Sequence, residues 1–316
     1  MSATRCAVMC VVLWACTASC THETVYVCGA DGTTDPECHG MSVDGATRVY
    51  LLHVPASYHA GGSLVIALHG TGELGPRFRD VSQLSVTADA KGFAVVYPNA
   101  RADFGAWNAY FTRVGDVQPP DDIAFLRALI TQLGKDLAPD PRRIFVVGLS
   151  NGGLMTHRVA VELSDLVAAV ADVAGTVASS PALDAIPAPA HGVSVLMLHG
   201  DSDVVVPCCG FHSGATMDDS FNFWASARAD ACTAVSTTAP ICEAPETPSS
   251  LAAKRATGCR DGAEVQFYML FGGRHGWYQG SLTTPGQEGY NPLFADSIGT
   301  TMNDVIWHWF DTHAKP

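Results

Sequence analysis

A serine flanked by glycines, Gly148-Leu149-Ser150-Asn151-Gly152, is the residue set in this chain best suited to covalent chemistry. The apolar run Ile144-Phe145-Val146-Val147 stops at Gly148, and helix-compatible residues follow Ser150. That order predicts a strand–serine–helix turn. Its glycines let strand and helix approach closely, and its hydroxyl stands at the sheet edge near a helix N-terminus. A plain glycine-rich turn has the same spacing; the buried strand before it favours a nucleophile.

A serine hydroxyl attacks poorly without a base. On such a turn the acid and then the base follow the serine along the chain. His275 lies in Gly272-Gly273-Arg274-His275-Gly276-Trp277, directly after the apolar run Val265 to Leu270. Flanking glycines suit a loop that carries an imidazole to the serine. His308 falls off the apolar stripe of the last helix and is expected at the surface. His313 is in the tail, and His212 is in a Cys and Gly-rich loop. For the acid, His199-Gly200-Asp201-Ser202-Asp203 begins where another apolar run ends. Asp201 and Asp203 both qualify, since one of them can simply hold a turn. An oxyanion needs preorganised N–H donors. The backbone of Asn151 supplies one, and Thr71 in His69-Gly70-Thr71-Gly72 is placed to supply another. His69 precedes the serine and reads as a structural hydrogen-bonding residue.

The elements that must position these groups are legible as apolar runs: Leu64 to Leu68, Phe93 to Tyr97, Ile144 to Val147, Val193 to Leu198 and Val265 to Leu270. Short runs that are apolar on both faces fit central parallel strands. Arg48 to Val54 reads as an outer strand. Between them lie helical patterns. Asp121-Asp122 can cap one that continues through Ile123, Leu126, Ile130 and Leu133. Met302, Val305, Ile306, Trp309 and Phe310 form another. Alternating strands and helices predict an α/β class: a mostly parallel sheet with helices on both faces and ligands beyond the carboxyl ends of its strands.

The bulk composition limits the function classes. Of 316 residues, 47% are hydrophobic and 16% charged, enough for one large core. A net charge of −13 repels phosphate backbones, so nucleic acid is not an expected partner. Arg5, the apolar run Cys6 to Ala15 and the small residues after it read as a signal peptide over 1–20, too short to span a bilayer. Leu13-Trp14-Ala15-Cys16 resembles a lipobox, so a membrane link is expected only through a lipid anchor at Cys16; free secretion is the alternative. Residues 21–45 read as an exposed leader, closed by Cys28–Cys38, and residues 46–316 as one catalytic domain. Asp31, Asp35 and Glu37 fit no calcium loop and read as solvated. Eleven cysteines in an exported chain suit disulfides. No Cys-x-x-Cys pair occurs, so no metal is expected. The vicinal Cys208 and Cys209 are expected to pair with different partners.

With these motifs in place, the chain resembles the esterase family that includes polyhydroxybutyrate depolymerases and feruloyl and acetyl xylan esterases. The resemblance rests on Ala67-Leu68-His69-Gly70, Val95-Val96-Tyr97-Pro98, Trp107-Asn108, Asp122 through Leu126, and Asp140-Pro141-Arg142-Arg143. It continues through Gly148 to Gly153, His199-Gly200 with Asp203, Val206-Pro207, and Gly272-Gly273-Arg274-His275. It covers roughly residues 46–313. The resemblance implies an α/β-hydrolase fold without metal or cofactor, with Ser150 as nucleophile, His275 as base and Asp203 as acid. It also implies a Cys232–Cys259 disulfide and substrate-side aromatics at Trp107 and Trp277. Arg274, Gly276, Tyr278-Gln279 and Cys208-Cys209 depart from the family pattern where substrate would sit. The expected function is therefore a secreted serine esterase acting on soluble or short-chain esters. A serine peptidase on the same fold and a non-catalytic binding protein are the alternatives.

Overall fold

In a computed structural model, the chain is described from residue 35 to 316, apart from residues 44, 102–103, 111–118, 179–182, 211–214, 238, 245–246, 249–250 and 295–299. The proposed signal peptide, Cys16, Cys28, Asp31 and His212 lie outside the described residues.

The five apolar runs from Leu64 to Leu270 all become strands. In chain order the strands and helices are β1 Cys38–Val43, β2 Ala46–His53, β3 Leu64–Leu68, α1 Gly75–Ser82, α2 Leu84–Lys91, β4 Ala94–Pro98, α3 Asp122–Leu137, β5 Ile144–Leu149, α4 Asn151–Glu162 and β6 Ala169–Val173. They continue with β7 Ser194–Gly200, α5 Met217–Ala225, β8 Ala234–Val235, β9 Cys242–Ala244, β10 Thr247–Pro248, β11 Ala253–Thr257, β12 Val265–Leu270 and α6 Met302–Thr312. The main sheet has the order β1-β2-β4-β3-β5-β6-β7-β12-β11-β8. From β4 through β12 each neighbouring pair is parallel, and the outer pairs are antiparallel. β3 to β7 are buried along their whole lengths, as strands covered on both faces must be.

Two apolar layers flank this sheet. One packs Phe125, Leu126, Met155, Phe221 and Trp224 of α3, α4 and α5 on Leu64 and Ile66. The other packs Phe78, Leu84, Met302, Trp309 and Phe310 of α1, α2 and α6 on Val65 and Ala67. The alternation along β3 thus splits its side chains between the two cores. α6 buries the stripe read from the sequence, and a Thr301–Asp304 capping box starts it. His308 is exposed, as expected.

Part of the expected leader is structural. β1 pairs with β2 in the main sheet, so the sheet begins inside residues 21–45. Asp35 and Glu37 are ion-pair partners of Arg79, each 2.9 Å from its Nη1. Cys38 is disulfide-bonded. Among the described residues no helix is long and apolar enough to cross a membrane.

Candidate active site

Three loops leave the carboxyl ends of β5, β7 and β12, all within four neighbouring positions of the sheet. They carry Ser150, Asp203 and His275.

Ser150 sits between β5 and α4 with φ 57° and ψ −120°. A side chain in that backbone region costs on the order of 1–3 kcal/mol and persists only where its surroundings enforce it. The Ser150 N–H donates to the carbonyl of Val173 at the end of β6 (2.9 Å), which ties the turn to the sheet. The flanking glycines are steric necessities. A Cβ on Gly148 would stand 2.2 Å from the carbonyl oxygen of Gly152, and one on Gly152 would stand 2.2 Å from that of Leu68.

Asp203 Oδ2 lies 2.7 Å from His275 Nδ1. Its other oxygen accepts the N–H groups of Val205 (2.8 Å) and Val206 (2.9 Å). Burial pushes this carboxyl up. The His275 hydrogen bond, the nearby His199 and the Val206 amide outweigh burial and hold it below the usual carboxylate range. Asp201 does something else: its Oδ1 accepts from the Gly272 N–H and the Ser202 hydroxyl, both 2.9 Å, and so holds the start of the β12 loop. Of the two candidates left open by spacing, Asp203 is the imidazole's partner. A further histidine, His199, anchors the same loop; its Nε2 donates to the Val206 carbonyl (2.7 Å) and lies 3.6 Å from Asp203. The Ser150 hydroxyl and His275 Nε2 make no hydrogen bond among the described residues, and both residues are partly exposed.

The Thr71 loop packs against the nucleophile turn. A Cβ built on Gly70 would lie 3.6 Å from Ser150 Cβ. The Thr71 N–H is unbonded among the described residues, and the Asn151 N–H belongs to the first turn of α4, where no helical acceptor exists. His69 is the structural residue expected. Its Nε2 accepts the Ala100 N–H (3.0 Å), so Nδ1 carries the proton toward the Gly70 carbonyl (2.8 Å). Burial, first, and Arg48 pull its pKa down to about 4, against the Gly70 contact.

Trp107 and Trp277, expected on the substrate side, are both buried among scaffold contacts. Trp107 is 0% exposed and its indole N–H donates to the His69 carbonyl. The Asn151 side chain clasps its backbone, accepting from Trp107 N–H (2.6 Å) and donating to its carbonyl (3.1 Å). Trp277 packs edge-on to Phe78 and donates to Asn303. Asp122, expected at a helix cap, is buried instead. It pairs with Arg48 (2.7 Å) and accepts the Asn108 N–H (2.8 Å), while Asp121 caps α3 through Ala124 N–H. Asp122 thereby pins the Trp107-Asn108 segment. Its only trace in the sequence was the shared Trp107-Asn108 and Asp122 motifs.

The cysteines follow the implied pattern in part. Cys232–Cys259 is a disulfide. The vicinal pair does not take two partners: Cys209 bonds Cys242, while Cys208 stays a buried thiol 3.4 Å and 3.7 Å from those two sulfurs. Both neighbouring sulfurs are already committed to each other, which leaves Cys208 without a mate.

A family model described as Esterase PHB depolymerase matches residues 48–205. The putative esterase NocK of Nocardia uniformis subsp. tsuyamanensis is 36% identical over 57% of this chain and 52% of its own length. Poly(3-hydroxyalkanoate) depolymerase C of Paucimonas lemoignei is 29% identical over 39% of this chain and 30% of its own. The chain thus spans about half of one relative and less of the other. An acetyl xylan esterase from Aspergillus awamori superposes with a TM-score of 0.54 at 18% identity, covering 76% of this chain and 94% of that one. That likeness speaks for the fold alone, an α/β-hydrolase fold. With the family model spanning half of its length, this chain belongs to the esterase PHB depolymerase family.

Proposed function

We propose that the chain is a serine esterase that works through an acyl-enzyme. Ser150 attacks the ester carbonyl while His275 Nε2 takes its proton. Asp203 orients the ring and stabilises the imidazolium. The Thr71 and Asn151 amides receive the oxyanion. His275 then returns the proton to the departing alcohol, and water activated by the same ring releases the acid. The observation that carries this reading is the 2.7 Å Asp203–His275 pair, two strands from a serine held at a positive φ. The Ser150–His275 bond that the first step requires closes with substrate, as such contacts tighten in the Michaelis complex.

The substrates proposed are soluble or short-chain carboxylic esters, such as acetyl or feruloyl esters or short hydroxyalkanoates. The test is turnover of p-nitrophenyl acetate. Wild type hydrolyses it, and Ser150→Ala loses about 10⁴-fold or more of kcat. Equal turnover by the two proteins excludes the assignment, and activity on peptide amides but not esters favours a peptidase.

Export is part of the proposal. The Cys209–Cys242 and Cys232–Cys259 disulfides and the disulfide-bonded Cys38 support an oxidising compartment. Cys16→Ser releases the protein from membranes if Cys16 is lipidated; an unchanged membrane fraction excludes that anchor.

A further inference from the structure

The Thr71 loop carries a charge that the proposed chemistry does not use. Glu73 is half-buried, and its Oε2 accepts only the Gly70 N–H, at a long 3.4 Å. Among the described residues it has no cationic partner. Its position is fixed relative to the nucleophile by one shared reference point. Glu73 Oε2 and Ser150 Cβ each lie 3.6 Å from where a Gly70 Cβ would stand, so the two atoms are at most about 7 Å apart. The Glu73 N–H donates to the Gly70 carbonyl (3.2 Å), which keeps the carboxylate on this short turn.

A carboxylate here works against a neutral ester. The transition state develops negative charge at the neighbouring amides, and a like charge within several ångströms opposes it. A substrate that brings its own positive charge removes the conflict, since one cation neutralises Glu73 and the developing oxyanion together. We infer that Glu73 is a specificity-determining residue that selects esters bearing a cationic group, such as an ammonium, a few bonds from the scissile carbonyl. This inference rests on Ser150 being the nucleophile and goes beyond it by naming a charge class of substrate.

The experiment compares acetylthiocholine with its uncharged isostere, S-(3,3-dimethylbutyl) thioacetate. Wild type prefers the cation by about tenfold in kcat/KM, the scale of one unit-charge interaction near a protein surface. Glu73→Gln keeps an oxygen for the Gly70 N–H. It lowers kcat/KM for the cation about tenfold and raises it for the isostere. Glu73→Lys, made independently, reverses the order of the two substrates. Two results overturn the inference while leaving the hydrolase reading intact: no preference in wild type, or both substrates falling alike in Glu73→Gln, which marks a loop-holding contact. A different result, thioester turnover retained in Ser150→Ala, overturns the nucleophile assignment itself, whereas a wild type that hydrolyses p-nitrophenyl acetate but neither thioester overturns only the inference.

Discussion

Two of the histidine–aspartate pairs beside this sheet, His275–Asp203 and His157–Asp172, are built from the same residue types and fit for different work. His275 and Asp203 meet at 2.7 Å beyond β7 and β12, with the imidazole 19% exposed and its Nε2 free. His157 on α4 and Asp172 on β6 meet at 3.1 Å with both side chains 0% exposed. The second ring nitrogen separates them. Trp224 Nε1–H donates to His157 Nδ1 (2.8 Å), so that ring must turn its proton toward Asp172 and has no nitrogen left to accept another. An imidazole beside a carboxylate serves as a base only where its far nitrogen is bare and reachable. The buried pair ties α4, which begins at the nucleophile, to β6, whose Val173 carbonyl holds the Ser150 amide. In the proposed mechanism the first pair moves protons, and the second holds the serine still.

Substitutions can break that division. Asp203→Asn lowers kcat for p-nitrophenyl acetate by about 10³- to 10⁴-fold, because the amide no longer supports an imidazolium. Asp172→Asn changes kcat by less than about threefold. A comparable loss from both would erase the distinction. His157→Ala leaves the Asp172 carboxylate buried and alone, and costs about 3 kcal/mol or more in urea unfolding. Loss of activity without loss of stability in that variant would contradict a holding role.

A third histidine sharpens the contrast through pH. His69 is buried neutral, with a pKa of about 4 in the folded protein against an ordinary value of 6.5. Between those values the unfolded chain binds more protons, so the His69 contribution is complete above pH 6.5 and is lost as pH falls toward 4. Its size is on the order of 3 kcal/mol. Asp230 gives a slope of the opposite sign, because burial raises its carboxyl to about 7 in the folded protein. Comparing wild type with His69→Gln cancels Asp230. Unfolding free energies measured at pH 4.5 and 7 converge toward low pH if His69 is neutral in the fold. A constant gap would mean that it is not.

The sequence signals that proved readable share a cause. Strands β3, β4, β5, β7 and β12 are continuous apolar runs, and the nucleophile turn is fixed by glycines that sterics demand at Gly148 and Gly152. β6 was not visible, since Ala169-Val170-Ala171-Asp172-Val173 has two alanines among five residues and contains a carboxylate that His157, fifteen residues upstream, makes tolerable in the core. β1 hid in a stretch of glycine and polar residues that becomes a strand by pairing with β2. Asp201 and Asp203 were equivalent by spacing; the Gly272 amide on a distant loop claims the first and His275 the second. The role of Asp122 depends on Arg48, 74 positions away, and local pattern suggested a cap. Tertiary partners set each of these outcomes, and short windows of sequence do not contain them.

The most direct test is the rate and position of labelling by a fluorophosphonate, followed by peptide mass spectrometry. The account predicts a single adduct on Ser150, formed about 10³-fold more slowly in His275→Ala and at the wild-type rate in the folded fraction of His157→Ala. An adduct on another residue, or labelling of Ser150 that is indifferent to His275, would contradict it.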